Sequence, residues 1–267
     1  NEDTTWAKVN DIVRVTFTAS EALSSNSAII VSQDATITDL GSNQFHADYT
    51  LTDSDPEGEI SFEILFSDLS ANEGIPVSIT TNDTKVIFDR TPPVDFAVGA
   101  LLSTGGNEVE DIWNLTNTGM DILVPVADDT TLKNGTIQLF AKVGSNDFGS
   151  LGTSEVIVPS DLNTDKVISV SGELIEGLTG FEEGENIYVK AVMIDRPGNS
   201  TEGTQSTTEI LIDETPAVLN PISVASNNAN TALAIVGDEI ILTFTASEEL
   251  TEISATISGH YASVFYI

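Results

Sequence analysis

Apolar and polar residues alternate along most of the chain. Val13, Val15, Phe17 and Ala19 fall on one side of an extended segment, with Arg14, Thr16 and Thr18 on the other. The same period of two recurs at Phe62, Ile64 and Phe66, with Ser61 and Glu63 facing away. It recurs again at Ile137, Leu139 and Ala141, at Ile187, Val189, Ala191 and Met193, and at Ile240, Leu242, Phe244 and Ala246. A period of two sends one face to a core and the other to water, so each stretch predicts a half-buried antiparallel strand. Abundant Thr, Val and Ile suit pleated surfaces. No segment supports a helix longer than a few turns. Asp55-Pro56-Glu57-Gly58, Gly105-Gly106-Asn107 and Pro197-Gly198-Asn199 are turn signals, spaced as in a β-sandwich.

One of these strands is written twice. Thr16 and Thr243 open the same six residues, T-F-T-A-S-E, 227 positions apart. At that offset, with no gap, Trp6 falls on Leu233, Ala7 on Ala234, Val9 on Val236, Asp11 on Asp238 and Val13 on Ile240. Repeats of this kind build length, which makes a filament or stalk the first expectation. Two further motifs divide the chain. Phe88-Asp89-Arg90-Thr91-Pro92-Pro93 and Ile212-Asp213-Glu214-Thr215-Pro216 each follow an apolar strand end with Asp and a Thr-Pro step. Proline donates no backbone hydrogen bond and keeps its predecessor extended, so both read as stiff, short linkers between modules standing end to end.

The expected organisation is therefore three modules. Residues 1–89 form a sandwich lacking its first strand, the equivalent of Pro221-Ile222-Ser223-Val224-Ala225. Residues 90–214 form a larger one with extra loop between Gly99 and Asn117 or between Asp147 and Asp165. Residues 215–267 repeat 1–40 and hold about half a sandwich. The sequence reads as a window on a longer array, and the half-sandwich as a surface prone to pair with another chain.

The motifs also resemble a known family. T-F-T-A-S-E resembles the second-strand motif of bacterial immunoglobulin-like modules. Val189 to Asn199, an alternating strand leading to D-x-x-G-N, resembles their late hairpin. Asp68-Leu69-Ser70-Ala71-Asn72 takes that place in the first module, with Ala71 where the family has glycine. The closing D-x-T-x-P signature is similar to Asp89–Pro93 and to Asp213 onward, although Ala217 replaces a second proline there. The resemblance implies an all-β chain of tandem immunoglobulin-like β-sandwiches arranged end to end. It also implies a stalk of a large secreted adhesin on a bacterial cell surface, the gliding and attachment adhesins of Bacteroidota being one such group. Its partners would be neighbouring repeats of the same chain, with surface glycans or other cell-surface proteins as further candidates.

Composition changes this picture in two ways. Forty-two acidic and nine basic residues leave a formal charge of −33, which disfavours nucleic acid and anionic membranes and attracts divalent cations. Hydrophobic residues still make up 40 %, enough for packed cores. Cysteine is absent, so there is neither a disulfide framework nor a thiol nucleophile. No apolar run reaches membrane-spanning length.

The candidate chemistry is cation binding, with Ca²⁺ as the expected ion. Asp53, Asp55 and Glu57 lie two apart, between Asp48 and Glu59, and hard oxygen ligands at that spacing suit it. A solvated acidic loop is the plainer alternative. A second candidate lies at the junctions, where Asp89 and Asp95 bracket one linker, Asp213 and Glu214 sit in the other, and Asp195 or Asp68 ends a strand that can reach the same pole. There the alternative is an aspartate capping a turn. Trp113, among Glu110, Asp111 and Asn114, can stack on a sugar or plug its loop onto the sandwich, with the plug preferred. Catalysis is not expected. His46 and His260 are the only histidines and occupy unlike repeat positions, too few ligands for zinc, and no nucleophile elbow or nucleotide-binding loop occurs.

Overall fold

The computed structural model describes residues 3–266, and the chain is all-β. It divides into two compact units at Asp213 and Glu214.

Among the described residues of the first unit the strands fall into two groups that do not pair with each other. In the first group, Ile12–Thr18, Gln44–Thr50 and Thr36–Gly41 form one antiparallel sheet in that order. Gln33–Asp34, Leu23–Ile30 and Phe62–Asp68 form the facing one. Ala28, Ala47 and Ile64 pack between them, against Phe17 and Phe66. A third small sheet closes one end: Trp6–Ala7 runs parallel to Ile87–Phe88, which pairs with Gly58–Glu59. The predicted alternation holds here: Val13 is buried while Arg14, Thr16 and Thr18 are exposed.

The second group builds a larger sandwich. Leu101–Thr104, Gly119–Val126 and Thr164–Ser171 form one antiparallel sheet. The opposite sheet runs Ile112–Trp113, Ile210–Ile212, Asn186–Ile194, Thr136–Val143, Gly149–Val156, with Ser200–Glu202 also on Asn186–Ile194. Met120, Ile122 and Val124 face Ile137, Leu139 and Ala141 across the core, and Ile187, Val189, Ala191 and Met193 complete it. Among the described residues the one α-helix is a single turn, Gly172–Glu176.

The two stretches expected to be extra loop carry strands. Gly149–Val156 is a sheet edge with only Leu151 buried. An edge strand with both faces wet shows no apolar alternation, so its sequence reads as loop. Residues 99–117 hold Leu101–Thr104 and Ile112–Trp113, the latter parallel to Ile210–Ile212. That pairing matches Trp6–Ala7 beside Ile87–Phe88 bond for bond. Ile87 N donates to Thr5 O and Asp89 N to Ala7 O; Leu211 N donates to Asp111 O and Asp213 N to Trp113 O.

The second unit contains the hairpin Leu219–Ser226 with Ile240–Ala246 and the short pair Thr256–Ile257 with His260–Tyr261. Ile222 and Val224 are exposed. Its local structure repeats that of the chain start. Lys8 N and Ile235 N donate to the carboxylates of Asp11 and Asp238. Trp6 N and Leu233 N bond to Asp3 O and Asn230 O, and Ala35 N and Ala262 N to Ala28 O and Ala255 O. Ile29 opposes Asp34 as Thr256 opposes Tyr261. Each pair is separated by the same 227 positions, so these local bonds recur at the offset of the sequence repeat.

Candidate functional site

The two sandwiches of the first unit meet around the segment Asp89–Pro93, and polar chemistry concentrates there. Asp89 follows the closing strand Ile87–Phe88 and is buried. Its Oδ1 accepts from Thr91 N at 2.9 Å, an Asx turn that sets the chain's exit. Glu57, in the turn before Gly58–Glu59, clasps the same segment: its Oε1 accepts from Arg90 N at 3.1 Å and Thr91 Oγ1 at 2.6 Å. From the other side comes the turn after Asn186–Ile194. Asp195 Oδ1 accepts from Gly198 N and Asn199 N, at 2.8 and 2.7 Å. Asn199 Nδ2 then donates both to Asp195 Oδ2 and, across the joint, to Asp89 O, each at 3.0 Å. Thr201 Oγ1 donates to Pro93 O. Arg196 Nε reaches Asp3 Oδ2 at 2.6 Å, with its guanidinium 5.4 Å from the Trp6 ring. Gly198, at φ +99°, lies where a Cβ would meet the Lys8 stem at 3.3 Å.

The electrostatics of this joint are unusual. Burial, with Asp195, Glu57 and Asp129 nearby, pushes the Asp89 carboxyl up to about 6, against the pull of its bond from Thr91. Burial also raises Asp195, although Asn199 and Gly198 donate to it and Asp129 adds repulsion. Asp129 belongs to the site through Arg196 N, which bonds Thr131 O, inside the turn that Asp129 caps. Asp89 Oδ2 is buried and has no hydrogen-bond partner among the described residues.

Of the residues singled out from sequence, the structure brings Asp89, Asp195 and Glu57 to this joint. Asp53 is exposed. Asp55 is buried as a turn cap, accepting from Thr52 N at 2.7 Å, Thr52 Oγ1 at 3.0 Å and Tyr49 Oη at 3.1 Å. Asp53, Asp55 and Glu57 thus do three different jobs, because the turn at Pro56 separates carboxylates that an extended strand would align. Asp95 is exposed beside a small apolar cleft containing Phe96 and Met193. Asp213 follows the closing strand of the second sandwich, where its N–H bonds Trp113 O, the counterpart of Asp89. Trp113 is fully buried with its ring edge-on to Phe181, so it has no face to offer a sugar; its indole Nε1 has no partner. Sequence reasoning missed Asp129 and the Asp3–Arg196 pair. Asp129 had a signal, Asp-Thr-Thr, that marks a cap; the Asp3–Arg196 pair spans 193 positions and had none.

An open trough of about 750 Å³ lies elsewhere on the second sandwich, lined by Tyr188, Asn186, Asp111, Gln205 and Glu209 among others. No helix among the described residues is long and apolar enough to cross a membrane.

No protein-family description matches the chain, and no curated protein matches it. Solved structures do. A DUF4785 family protein of Legionella pneumophila is 13 % identical with a TM-score of 0.28, over 78 % of this chain and 55 % of its own. SGBP-B of the Bacteroides ovatus mixed-linkage glucan utilization locus, solved with a mixed-linkage heptasaccharide, is 11 % identical with a TM-score of 0.22, over 84 % and 46 %. The FN1–FN3 domains of chicken CNTN1 are 13 % identical with a TM-score of 0.28, over 95 % and 91 %. The chain thus spans about half the length of the first two.

Proposed function

We propose that the chain is a spacer, a stretch of a bacterial cell-surface adhesin whose work is mechanical. In this reading the construction unit is a pair of unlike sandwiches, 1–89 and 90–214, and 215–267 opens the next pair. It acts outside the cell and catalyses nothing. The observation that carries the reading is the recurrence of the same turn, cap and strand bonds after 227 positions. The Thr-Pro linkers and the hydrogen-bonded joint support it, since they limit bending. The acidic surface keeps neighbouring stalks apart. Small-angle scattering tests it: a single compact body of this length has a radius of gyration of about 18 Å. A spacer gives a value well above that, and a value near it overturns the reading.

A second reading, glycan or protein binding by the second sandwich, draws on the open trough beside Tyr188, which offers an aromatic ring among amides and carboxylates. Selective binding on a glycan array, lost in Tyr188→Ala without a change in melting, favours it over the spacer.

A further inference from the structure

We propose that the chain self-associates head to tail by strand exchange: Leu219–Ser226 of one copy leaves its own hairpin and adds to the open edge of Ile12–Thr18 in a second copy.

Ile12–Thr18 and Ile240–Ala246 are near-identical strands 227 positions apart, yet they are paired along opposite edges. In the first sandwich Leu51 N donates to Asp11 O and Ala19 N to Asn43 O, so the backbone groups of the odd-numbered residues point to Gln44–Thr50. In the hairpin Asn227 N donates to Glu239 O and Ser247 N to Val218 O. Those two positions correspond to Ile12 and Ser20. Backbone groups alternate in direction along a strand, so Arg14, Thr16 and Thr18 present theirs on the edge that Leu219–Ser226 holds in the hairpin. Among the described residues no strand lies there, and Ile12–Thr18 ends its sheet. A bare edge is a template for a further strand.

The side chains agree with the backbone. In the hairpin Val224 lies opposite Leu242 and Ile222 opposite Phe244. Opposite residues share a face, so the same register on Ile12–Thr18 sets Val224 beside Val15 and Ile222 beside Phe17, on the core side. Val15 and Phe17 pack against that core but are only half-buried, as befits a sheet that stops at this strand. Ile222 and Val224 are 59 % and 68 % exposed in the hairpin, since two strands cannot cover their own apolar face. Exchange replaces one ladder by an equivalent one and buries both side chains. Adding the intact hairpin by its other edge would instead turn them outward, beside Arg14 and Thr16.

Charge points to the same segment. A net charge of −33 repels a second copy, but no charged residue lies between Glu214 and Asp238, and the receiving strand carries only Arg14. Donor and acceptor are different surfaces present on every copy, so the contact is heterologous and propagates.

The exchange depends on strand register alone and holds whether or not the chain is a spacer. The whole chain has no cysteine, so engineered pairs report cleanly. Chains carrying Val15→Cys and Val224→Cys, mixed and oxidised, should form a disulfide-linked heterodimer, because pairs without mutual backbone bonds bring Cβ atoms close. Thr16→Cys, which faces the other way, should lose that product. Thr16→Pro removes a donor aimed at the open edge and spares the bonds to Gln44–Thr50. It should weaken self-association in sedimentation roughly tenfold. Thr243→Pro loosens the donor's own hairpin and should strengthen association. A wild-type chain that sediments as a monomer at its highest soluble concentration overturns the proposal. So do oligomers that Thr16→Pro leaves unchanged, oligomers without the Val15–Val224 crosslink, or equal crosslinking through Thr16→Cys.

Discussion

Two turns in this molecule are built alike and live differently. In Asp68–Asn72 the aspartate Oδ1 takes Ser70 N and Asn72 N, and Oδ2 takes Asn72 Nδ2. In Asp195–Asn199 the same oxygens take Gly198 N, Asn199 N and Asn199 Nδ2. The backbone bonds agree as well: Ala71 N to Asp68 O and Gly198 N to Asp195 O, both 3.1 Å. Yet Asp68 is only half-buried, and its bonds from Asn72 hold its carboxyl below the usual range. Asp195 is 3 % exposed, and burial lifts it above that range despite equivalent bonds. Five residues specify the turn; the neighbouring sandwich decides what its charge costs.

The asparagines give the sharpest test. Asn199 also holds Asp89 O across the joint, so Asn199→Ala should lose about 2–3 kcal/mol in urea unfolding, because it strips a buried carboxylate. Asn72→Ala should lose less than about 1 kcal/mol. Equal losses would break the comparison.

The left-handed position comes next. Ala71 sits at φ +62° and Gly198 at φ +99°. Ala71→Gly should stabilise by about 1 kcal/mol, whereas Gly198→Ala should destabilise by about 1–2 kcal/mol, since it adds strain and presses on the Lys8 stem. Between the two, Arg196 links Asp3 and Trp6 while its counterpart Leu69 is exposed. Arg196→Ala should cost about 1 kcal/mol, and Leu69→Ala less than about 0.5 kcal/mol.

The smallest effect is in titration. Carboxyl NMR in chelator should find Asp68 below and Asp195 above the ordinary aspartate value. The signs follow from linkage. A depressed folded value means that the Asp68 contribution is present at neutral pH and lost as pH falls through it. A raised one means that the Asp195 turn gains stability as pH falls from neutral through its folded value.

Most of the architecture was legible because it obeys local rules. Strands facing a core alternate, and Val13 in the first sandwich and Ile137 and Ile187 in the second mark their buried faces. The repeat was legible because T-F-T-A-S-E recurs at a gapless offset, and the shared caps at Asp11 and Asp238 follow from the same letters. What escaped depended on neighbours. Gly149–Val156 has almost no buried face, so nothing in its sequence marks a strand. Asp195 and Asp68 look equivalent as letters, and only assembly separates a buried carboxylate from a half-buried one. The acidic run at Asp53, Asp55 and Glu57 reads as one candidate site because spacing does not show which partners the turn gives each carboxylate: Asp55 caps Thr52 and Glu57 clasps Arg90 and Thr91. Trp113 was expected to plug its loop onto the sandwich in preference to stacking on a sugar; pairing of Ile112–Trp113 with Ile210–Ile212 carries it further, into the core.

The first sandwich begins and ends on neighbouring strands that run in the same direction, Trp6–Ala7 with Ile87–Phe88, and the second closes on the same arrangement, Ile112–Trp113 with Ile210–Ile212. A tug on both ends of such a pair slides the strands past each other. The backbone bonds between them are then loaded together, where a hairpin would open one rung at a time, so each sandwich carries its own latch against traction.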